Sequence, residues 1–168
     1  PDLVRLAAAL PELGVRLHRV EQPYRVSGKR MVTDTEVLDA AFVDAVNAAR
    51  RPGLPLVVGG RSTGARIAAR TAGTLGAAGV LALAFPLVPP DRGGGAGRPN
   101  APPKSRAPEL ARLTVPTLIV QGTRDPFGGP PAFAQARLPP FVEVRAVDGA
   151  DHGFAGRGGA AAASERLH

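Results

Sequence analysis

Apolar residues along this chain fall in short blocks that favour strands and helices in turn. Continuous apolar runs occupy 54–60 and 80–86, a third strong strand-like run occupies 115–122, and a less regular run occupies 141–147. Runs of this length that are rich in β-branched residues are typical of strands buried on both faces of a sheet. A weaker alternation over 15–20 predicts one more strand near the start of the chain.

Helical spacing separates these runs. Residues 2–10 repeat leucine at a helical period, and the segments 65–79 and 130–138 predict helices between the strands. The clearest helix follows Thr33, whose pairing with Glu36 three positions later fits a capping box. Its predicted apolar face consists of Val37, Leu38, Ala41, Phe42, Ala45, Val46 and Ala49.

Strands that alternate with helices predict an α/β fold, with a mostly parallel sheet covered by helices on both faces. At 168 residues the chain is long enough for one sizeable core and too short for two. We therefore expect a single domain over 1–154 and a low-complexity tail or frayed helix over 155–168. A proline- and glycine-rich loop over 86–108 interrupts the domain.

The composition argues against several kinds of site. The chain has no cysteine, which excludes thiol nucleophiles and disulfides, and only three histidines, which argues against a histidine-built metal site. We expect no cofactor. The net charge is +7, but the basic residues are mostly arginines scattered among Ala, Gly and Pro, with few aromatic residues to stack a base. We attribute this charge to compositional bias and expect no nucleic-acid partner.

The sequence also predicts a protein that does not enter a membrane. No apolar run approaches the about 20 residues that a membrane span needs. Residues 1–14 form a short amphipathic segment without the basic start or the cleavage-site pattern of a signal peptide. We therefore expect a cytoplasmic location and no membrane partner.

Polar residues suited to nucleophilic catalysis follow three of the predicted strands. Ser62 follows the first of the long apolar runs, Asp125 follows the third and His152 follows the last. Because the carboxyl ends of parallel strands meet at one edge of a sheet, we expect these side chains to lie close together. A serine nucleophile needs a base, and an imidazole base needs an acid that fixes its tautomer. The three residues therefore predict a catalytic triad.

The acid and the base each have rivals in the sequence, namely Asp148, Asp151, His18 and His168. The two aspartates are weaker candidates because they crowd His152 in sequence. One rival histidine falls inside a predicted strand, and the other is the last residue of the chain. Asp125 itself has an alternative role as the first residue of a type I turn.

The stretch GGRSTG around Ser62 has the spacing of a nucleophile elbow. A serine on a sharp strand-to-helix turn has a strained backbone, and small residues two positions before and after it let strand and helix approach. Gly60 and Gly64 meet that need, and the alternative is an ordinary glycine-rich turn. In an elbow, the Thr63 N–H at the start of the helix helps to stabilise a developing oxyanion.

Four more residues are candidates for lining a substrate pocket: Arg61, Tyr24, Phe127 and Lys104. Arg61 and Phe127 flank members of the predicted triad, and Lys104 lies toward the end of the long loop, where a lid over the site would lie. A solvated loop position is the alternative for these three. Tyr24 follows a predicted strand end, and a partly buried anchor is its alternative role.

The stretches VVGGRSTGAR, LIVQGTRDPFG and DGADHGF resemble the α/β-hydrolase superfamily. With VEQPYRVSGKR and LAFPLVPP, the chain is similar to a small bacterial α/β-hydrolase-like family related to dienelactone-hydrolase-like proteins and to a subunit of a eukaryotic chromatin complex. The resemblance implies a hydrolase of unassigned substrate with Ser62, Asp125 and His152 in the triad positions. Dienelactone hydrolases proper use a cysteine nucleophile, which this chain does not have.

The chain departs from that family at its start. In the family, a strand and an HGAGG-type loop precede the first helix, and the loop supplies a second oxyanion donor. Here the first residues already correspond to that helix, so we expect an N-terminally truncated hydrolase with two central strands unpaired or newly paired. Loss of one oxyanion donor typically lowers turnover by about 100- to 1000-fold.

These observations predict a serine hydrolase of esterase or thioesterase type that acts on a small ester through an acyl-enzyme. The alternative is a non-catalytic hydrolase-like binding module. It is supported by the absent loop and by the eukaryotic relative that works inside a chromatin complex.

Overall fold

The computed structural model describes residues 2–28, 34–88 and 105–155. Within these ranges the strands are β1 Val57–Arg61, β2 Gly79–Leu83, β3 Thr117–Gly122 and β4 Val142–Val147. The α-helices are α1 Asp2–Ala9, α2 Pro23–Val26, α3 Thr35–Ala49, α4 Thr63–Thr71, α5 Ala107–Ala111 and α6 Pro130–Gln135. A short 3₁₀ helix, Leu10–Leu13, continues α1.

The four strands form one parallel sheet in the order β1-β2-β3-β4. In the middle row of the sheet, Gly60 pairs with Ala82, Ala82 with Ile119, and Ile119 with Val144. Each connection leads to the next strand on the same side. Because such crossovers are right-handed, the helices that connect the strands lie on a common face of the sheet. The parallel sheet with its crossover helices confirms the predicted α/β fold.

The core lies between this face of the sheet and helices α3 and α4. Helix α3 buries Leu38, Phe42 and Val46, a stripe at four-residue spacing within the predicted apolar face. Helix α4 contributes Ala65 and Ala68, both 0% exposed. Small side chains let this helix approach the strands closely, which brings its first turn to the end of β1.

The two faces of the sheet are not equally covered. Strand β2 is buried along both faces, as predicted. Strand β1 is not: Val58, on the covered face, is 3% exposed, and its neighbour Val57, on the opposite face, is 62% exposed. Leu118, on the same face of the sheet as Val57, is also exposed.

The strand predicted over 15–20 is wrong, since this segment is irregular in the structure. A strand requires a neighbour that satisfies its backbone groups. No strand in the described parts of the chain pairs with this segment, and Val15 is exposed. The new pairing that sequence analysis considered between this segment and β1 therefore does not occur, and within the described residues β1 pairs with β2 alone.

The start of α3 also differs from the prediction. The N-cap is Asp34, one residue after the predicted cap, and its carboxylate accepts hydrogen bonds from the N–H groups of Glu36 and Val37. A carboxylate at this position satisfies orphan donors and complements the positive end of the helix dipole. Thr33 itself lies outside the described residues.

Two other predictions fall on residues that the structure does not describe. The predicted tail lies outside the described residues except for Ala155, and so does most of the predicted loop over 86–108. In the parts of the chain that are described, no helix has the length and apolar character needed to cross a bilayer.

Candidate active site

Ser62 lies at the turn between β1 and α4, as the elbow motif predicts. Its backbone has φ 53° and ψ −115°, a conformation that L residues rarely adopt and that stores strain at functional sites. The Ser62 N–H donates a 2.9 Å hydrogen bond to the main-chain oxygen of Leu83 at the end of β2. The turn therefore holds the side chain at the carboxyl edge of the sheet.

The two glycines of the elbow are not equivalent. A Cβ at Gly60 would lie 2.5 Å from the carbonyl carbon of Gly64, so the strand and the helix approach too closely there for any side chain. A Cβ at Gly64 would meet nothing within 4 Å. The steric reason that sequence analysis gave for both glycines holds for Gly60 and is wrong for Gly64.

Ser62, His152 and Asp125 are joined by two hydrogen bonds. Ser62 Oγ lies 2.9 Å from His152 Nε2, and His152 Nδ1 lies 2.8 Å from Asp125 Oδ2. Because an ionised carboxylate only accepts hydrogen bonds, Nδ1 carries the proton of the neutral ring and Nε2 offers a lone pair to the serine hydroxyl. The Asp125 side chain is fully buried, and that of His152 is 21% exposed.

The rivals for the two partner roles bind elsewhere. The Asp148 carboxylate accepts from the Thr123 hydroxyl, and the Asp151 carboxylate accepts from main-chain N–H groups of its own loop. His18 lies in the irregular segment after α1 and is exposed. His168 lies outside the described residues. Of the residues weighed in the sequence, the structure thus brings Asp125 to His152.

Asp125 is held on both carboxylate oxygens. Oδ1 accepts a 2.8 Å hydrogen bond from the Phe127 N–H, which closes the tight turn that sequence analysis considered as an alternative for this aspartate. Oδ2 accepts from His152 and also from the Gln121 side-chain amide, at 2.8 Å. The turn and the contact with His152 therefore occur together.

Gln121 was not among the site residues predicted from the sequence. It is 0% exposed and stands in β3, directly after the apolar residues 118–120. A polar residue inside an apolar strand was the available signal, because buried polar groups are hydrogen-bonded and their partners are often functional.

The loop that carries His152 packs directly on the end of β3. A Cβ at Gly122 would collide with the main-chain oxygen of Ala150, and the Arg124 N–H donates to that same oxygen at 2.9 Å. The ring of Phe127 stands 4.3 Å from the imidazole of His152, centroid to centroid. Backbone contact on one side and an aromatic ring on the other hold the histidine in place.

The predicted pocket-lining residues have different surroundings. The Arg61 guanidinium is bound within the protein, 3.1 Å from the Asp2 carboxylate and 2.7 Å from the main-chain oxygen of His152. Tyr24 is in α2 rather than after a strand and packs against the hydrophobic core, which matches its alternative role as an anchor. Phe127 lies against His152. Lys104 is outside the described residues.

The Thr63 N–H stands at the first position of α4. The first N–H groups of a helix have no partner within it, and this donor lies at the positive end of the helix dipole. The preceding N–H, that of Ser62, is already bound to Leu83. Thr63 thus stands at the start of the helix after the elbow, where sequence analysis expected an oxyanion donor.

A metal-binding arrangement is absent from the described part of the site. In residues 2–28, 34–88 and 105–155, no group of three or more His, Cys, Asp or Glu side chains is placed to hold a metal ion. The groups gathered around Ser62 suit proton transfer and hydrogen bonding.

Solved structures similar to this chain are hydrolases of the same fold. An alpha-beta serine hydrolase homologue from Coxiella burnetii is 22% identical, with a TM-score of 0.59 over 90% of this chain and 67% of its own. A serine hydrolase without lid from Xanthomonas campestris is 20% identical, with a TM-score of 0.56 over 90% of this chain and 64% of its own. An esterase domain from a Rhodothermus marinus protein is 19% identical, with a TM-score of 0.50 over 74% and 61%.

At these identities the likeness concerns the fold. No curated protein matches the chain. The model of an alpha/beta hydrolase domain, however, matches residues 2–166, nearly the full length of the sequence. This match confirms the resemblance seen in the elbow and in the stretches around Asp125 and His152: the chain belongs to the α/β hydrolase family.

Proposed function

We propose that this protein is a serine hydrolase of esterase or thioesterase type that acts on a small ester through an acyl-enzyme. The observation that carries the proposal is the pair of hydrogen bonds from Ser62 to His152 and from His152 to Asp125, of 2.9 and 2.8 Å. These distances lie within the range that a nucleophile and its base require. The chain's membership of the hydrolase family supports the same activity.

The proposed reaction has two halves. Ser62 Oγ attacks the acyl carbon while His152 Nε2 takes its proton, and the Asp125 carboxylate stabilises the imidazolium that forms. The Thr63 N–H helps to hold the oxyanion. The alcohol or thiol then leaves with the proton from His152. In the second half, water attacks the acyl-enzyme with the same histidine as base, and free Ser62 is regenerated.

Fluorophosphonate labelling tests this proposal. Ser62 Oγ attacks the phosphorus and displaces fluoride, and mass spectrometry locates the adduct on the peptide that contains Ser62. The parent chain and the Ser27→Ala variant should label at the same rate, because the Ser27 hydroxyl is exposed and bonds to the main-chain oxygen of Tyr24. The Ser62→Ala variant should not label.

Hydrolysis of p-nitrophenyl acetate and of short-chain thioesters then defines the substrate class. Labelling that persists in Ser62→Ala would contradict the assignment of the nucleophile. A folded parent chain that does not label would contradict the proposed activity and would favour a non-catalytic hydrolase-like binding module.

A further inference from the structure

Gln121 holds the Asp125 carboxylate from inside the sheet. It is 0% exposed near the carboxyl end of β3. Its amide nitrogen donates two hydrogen bonds of 2.8 Å, one to Asp125 Oδ2 and one to the main-chain oxygen of Gly128. A buried amide is unfavourable unless it is hydrogen-bonded, so its two partners need explanation.

The contacts fix which way the amide faces. Both partners are acceptors, so the nitrogen and not the oxygen must point toward Asp125 and Gly128. The oxygen on the other side, Gln121 Oε1, is buried and has no hydrogen-bond partner in the part of the protein that the structure describes. An unsatisfied buried acceptor destabilises the fold. The donor side of Gln121 is thus satisfied while its acceptor side is not, which points to a role at the site.

This arrangement restrains the whole carboxylate. Asp125 Oδ1 is held by the Phe127 N–H, and Oδ2 is held by Gln121. With both oxygens restrained, the plane of the carboxylate is set, and the remaining lone pair of Oδ2 faces His152 Nδ1 at 2.8 Å. Without the amide donor, Oδ2 would be held only by His152 Nδ1, the group whose direction the carboxylate sets.

We propose that Gln121 is a positioning residue: it orients Asp125 and thereby fixes the tautomer and the direction of the His152 ring. The catalytic consequence rests on the proposed hydrolase function, since a correctly oriented ring accepts the Ser62 proton. The structural consequence, the tautomer of His152, does not depend on catalysis. The two are therefore measured separately.

The test compares Gln121→Met with the parent chain. Methionine has a similar length and is apolar, so it fits the buried position and removes both donors together with the unsatisfied oxygen. Thr117→Val is the matched control. Thr117 is a buried polar residue at the other end of β3, and its hydroxyl donates to the main-chain oxygen of Val115.

The first readout is the tautomer of the neutral His152 ring, measured by nitrogen NMR on the full chain. The sequence has three histidines, and the resonances of His152 are identified by their loss in His152→Asn. We expect the Nδ1–H form in the parent chain and in Thr117→Val. In Gln121→Met we expect the Nε2–H form to become populated.

The second readout is the rate of fluorophosphonate labelling at Ser62. Loss of a residue that orients a metal-binding side chain typically lowers activity by about 10- to 100-fold. Gln121 orients Asp125 in a comparable way, so we expect Gln121→Met to slow labelling within that range while Thr117→Val stays near the parent. Should Gln121→Met not fold, Gln121→Asn takes its place, because its shorter side chain cannot bridge both acceptors.

The outcomes separate the two proposals. A changed tautomer in the Gln121 variant supports positioning even if the parent chain never labels, in which case the hydrolase proposal alone fails. An unchanged tautomer would overturn the positioning role, whatever happens to the labelling rate. Slower labelling with an unchanged tautomer would mean that Gln121 only braces the loop through Gly128.

Discussion

The Arg61 guanidinium donates a hydrogen bond of 2.7 Å to the main-chain oxygen of His152, 91 residues further along the chain. Arg61 directly precedes the elbow serine, so this bond ties the end of β1 to the loop that carries the histidine. The same guanidinium lies 3.1 Å from the Asp2 carboxylate, which balances its charge. One side chain therefore joins α1, the elbow and the histidine loop.

We predict that Arg61→Met slows labelling of Ser62 by about 10-fold, because loss of a hydrogen bond from a charged donor costs on the order of 1.5 kcal/mol. Arg61→Lys should recover part of the rate, since an ammonium keeps one donor. Arg50→Met is the matched control. Arg50 donates to the main-chain oxygen of Leu75, away from the site, so its loss should leave the rate unchanged. An equal slowing in both methionine variants would contradict a specific role for Arg61.

The two elbow glycines differ in the space around them, which gives a second prediction. Gly60→Ala should destabilise the protein by about 1–3 kcal/mol or more, because its Cβ would overlap the backbone of Gly64. Gly64→Ala should stabilise it by about 0.5–1 kcal/mol, because the position is helical and open. Urea denaturation of the two variants measures both changes, and similar losses of stability would refute the contact geometry.

The overall fold and the principal site residues were accessible from the sequence for a physical reason. Buried parallel strands require continuous apolar runs, and reactive groups follow their carboxyl ends. The positions of Ser62, Asp125 and His152 relative to these runs therefore predicted that the three side chains would meet. The glycine spacing at the elbow reports a local backbone conformation, which the sequence encodes directly.

What the sequence did not reveal depends on contacts between distant residues. Residues 15–20 have a strand-like alternation, but a strand also requires a neighbour, which the pattern does not specify. The exposure of Val57, like that of Leu118, depends on which face of the sheet the helices cover, which the pattern within one strand does not specify. The bond from Arg61 to His152 joins two residues whose proximity only the folded chain creates.

The ion pairs around α4 give a third prediction. Glu109 of α5 accepts hydrogen bonds from both Arg66 and Arg70 of α4, and the three side chains are about one-fifth exposed. We expect Glu109→Gln to lower the free energy of unfolding by about 1 kcal/mol, because it leaves two guanidinium groups without this partner. Glu143→Gln, which removes an exposed pair with Arg145, should change it by less than about 0.5 kcal/mol.

This loss should not depend on pH near neutrality. Burial lowers the pKa of Arg70, but its hydrogen bond with Asp39 and the charges of Asp39 and Glu109 raise that pKa by more, so the net direction is upward. A pKa that is higher in the folded than in the unfolded protein stabilises the fold at every pH below the unfolded pKa. This stability is lost only as the pH rises through the folded pKa. Both values lie in strongly alkaline solution. If the effect of Glu109→Gln on the free energy of unfolding disappeared within roughly the neutral range, between pH 6 and pH 8, this account would be wrong.

The strained backbone of Ser62 gives the last prediction. At φ 53° and ψ −115° the residue lies in a region that glycine occupies freely and that costs other residues about 1–3 kcal/mol. Ser62→Ala and Ser62→Gly both remove the hydroxyl, but only glycine releases this strain. Glycine also costs entropy because it makes the unfolded chain more flexible, and this cost offsets part of the released strain. We therefore expect Ser62→Gly to be more stable than Ser62→Ala by about 1 kcal/mol, measured by urea denaturation. A Ser62→Gly variant that is less stable than Ser62→Ala would mean that the elbow holds no strain, whereas the expected difference would mean that the fold gives up stability to place the Ser62 hydroxyl against His152.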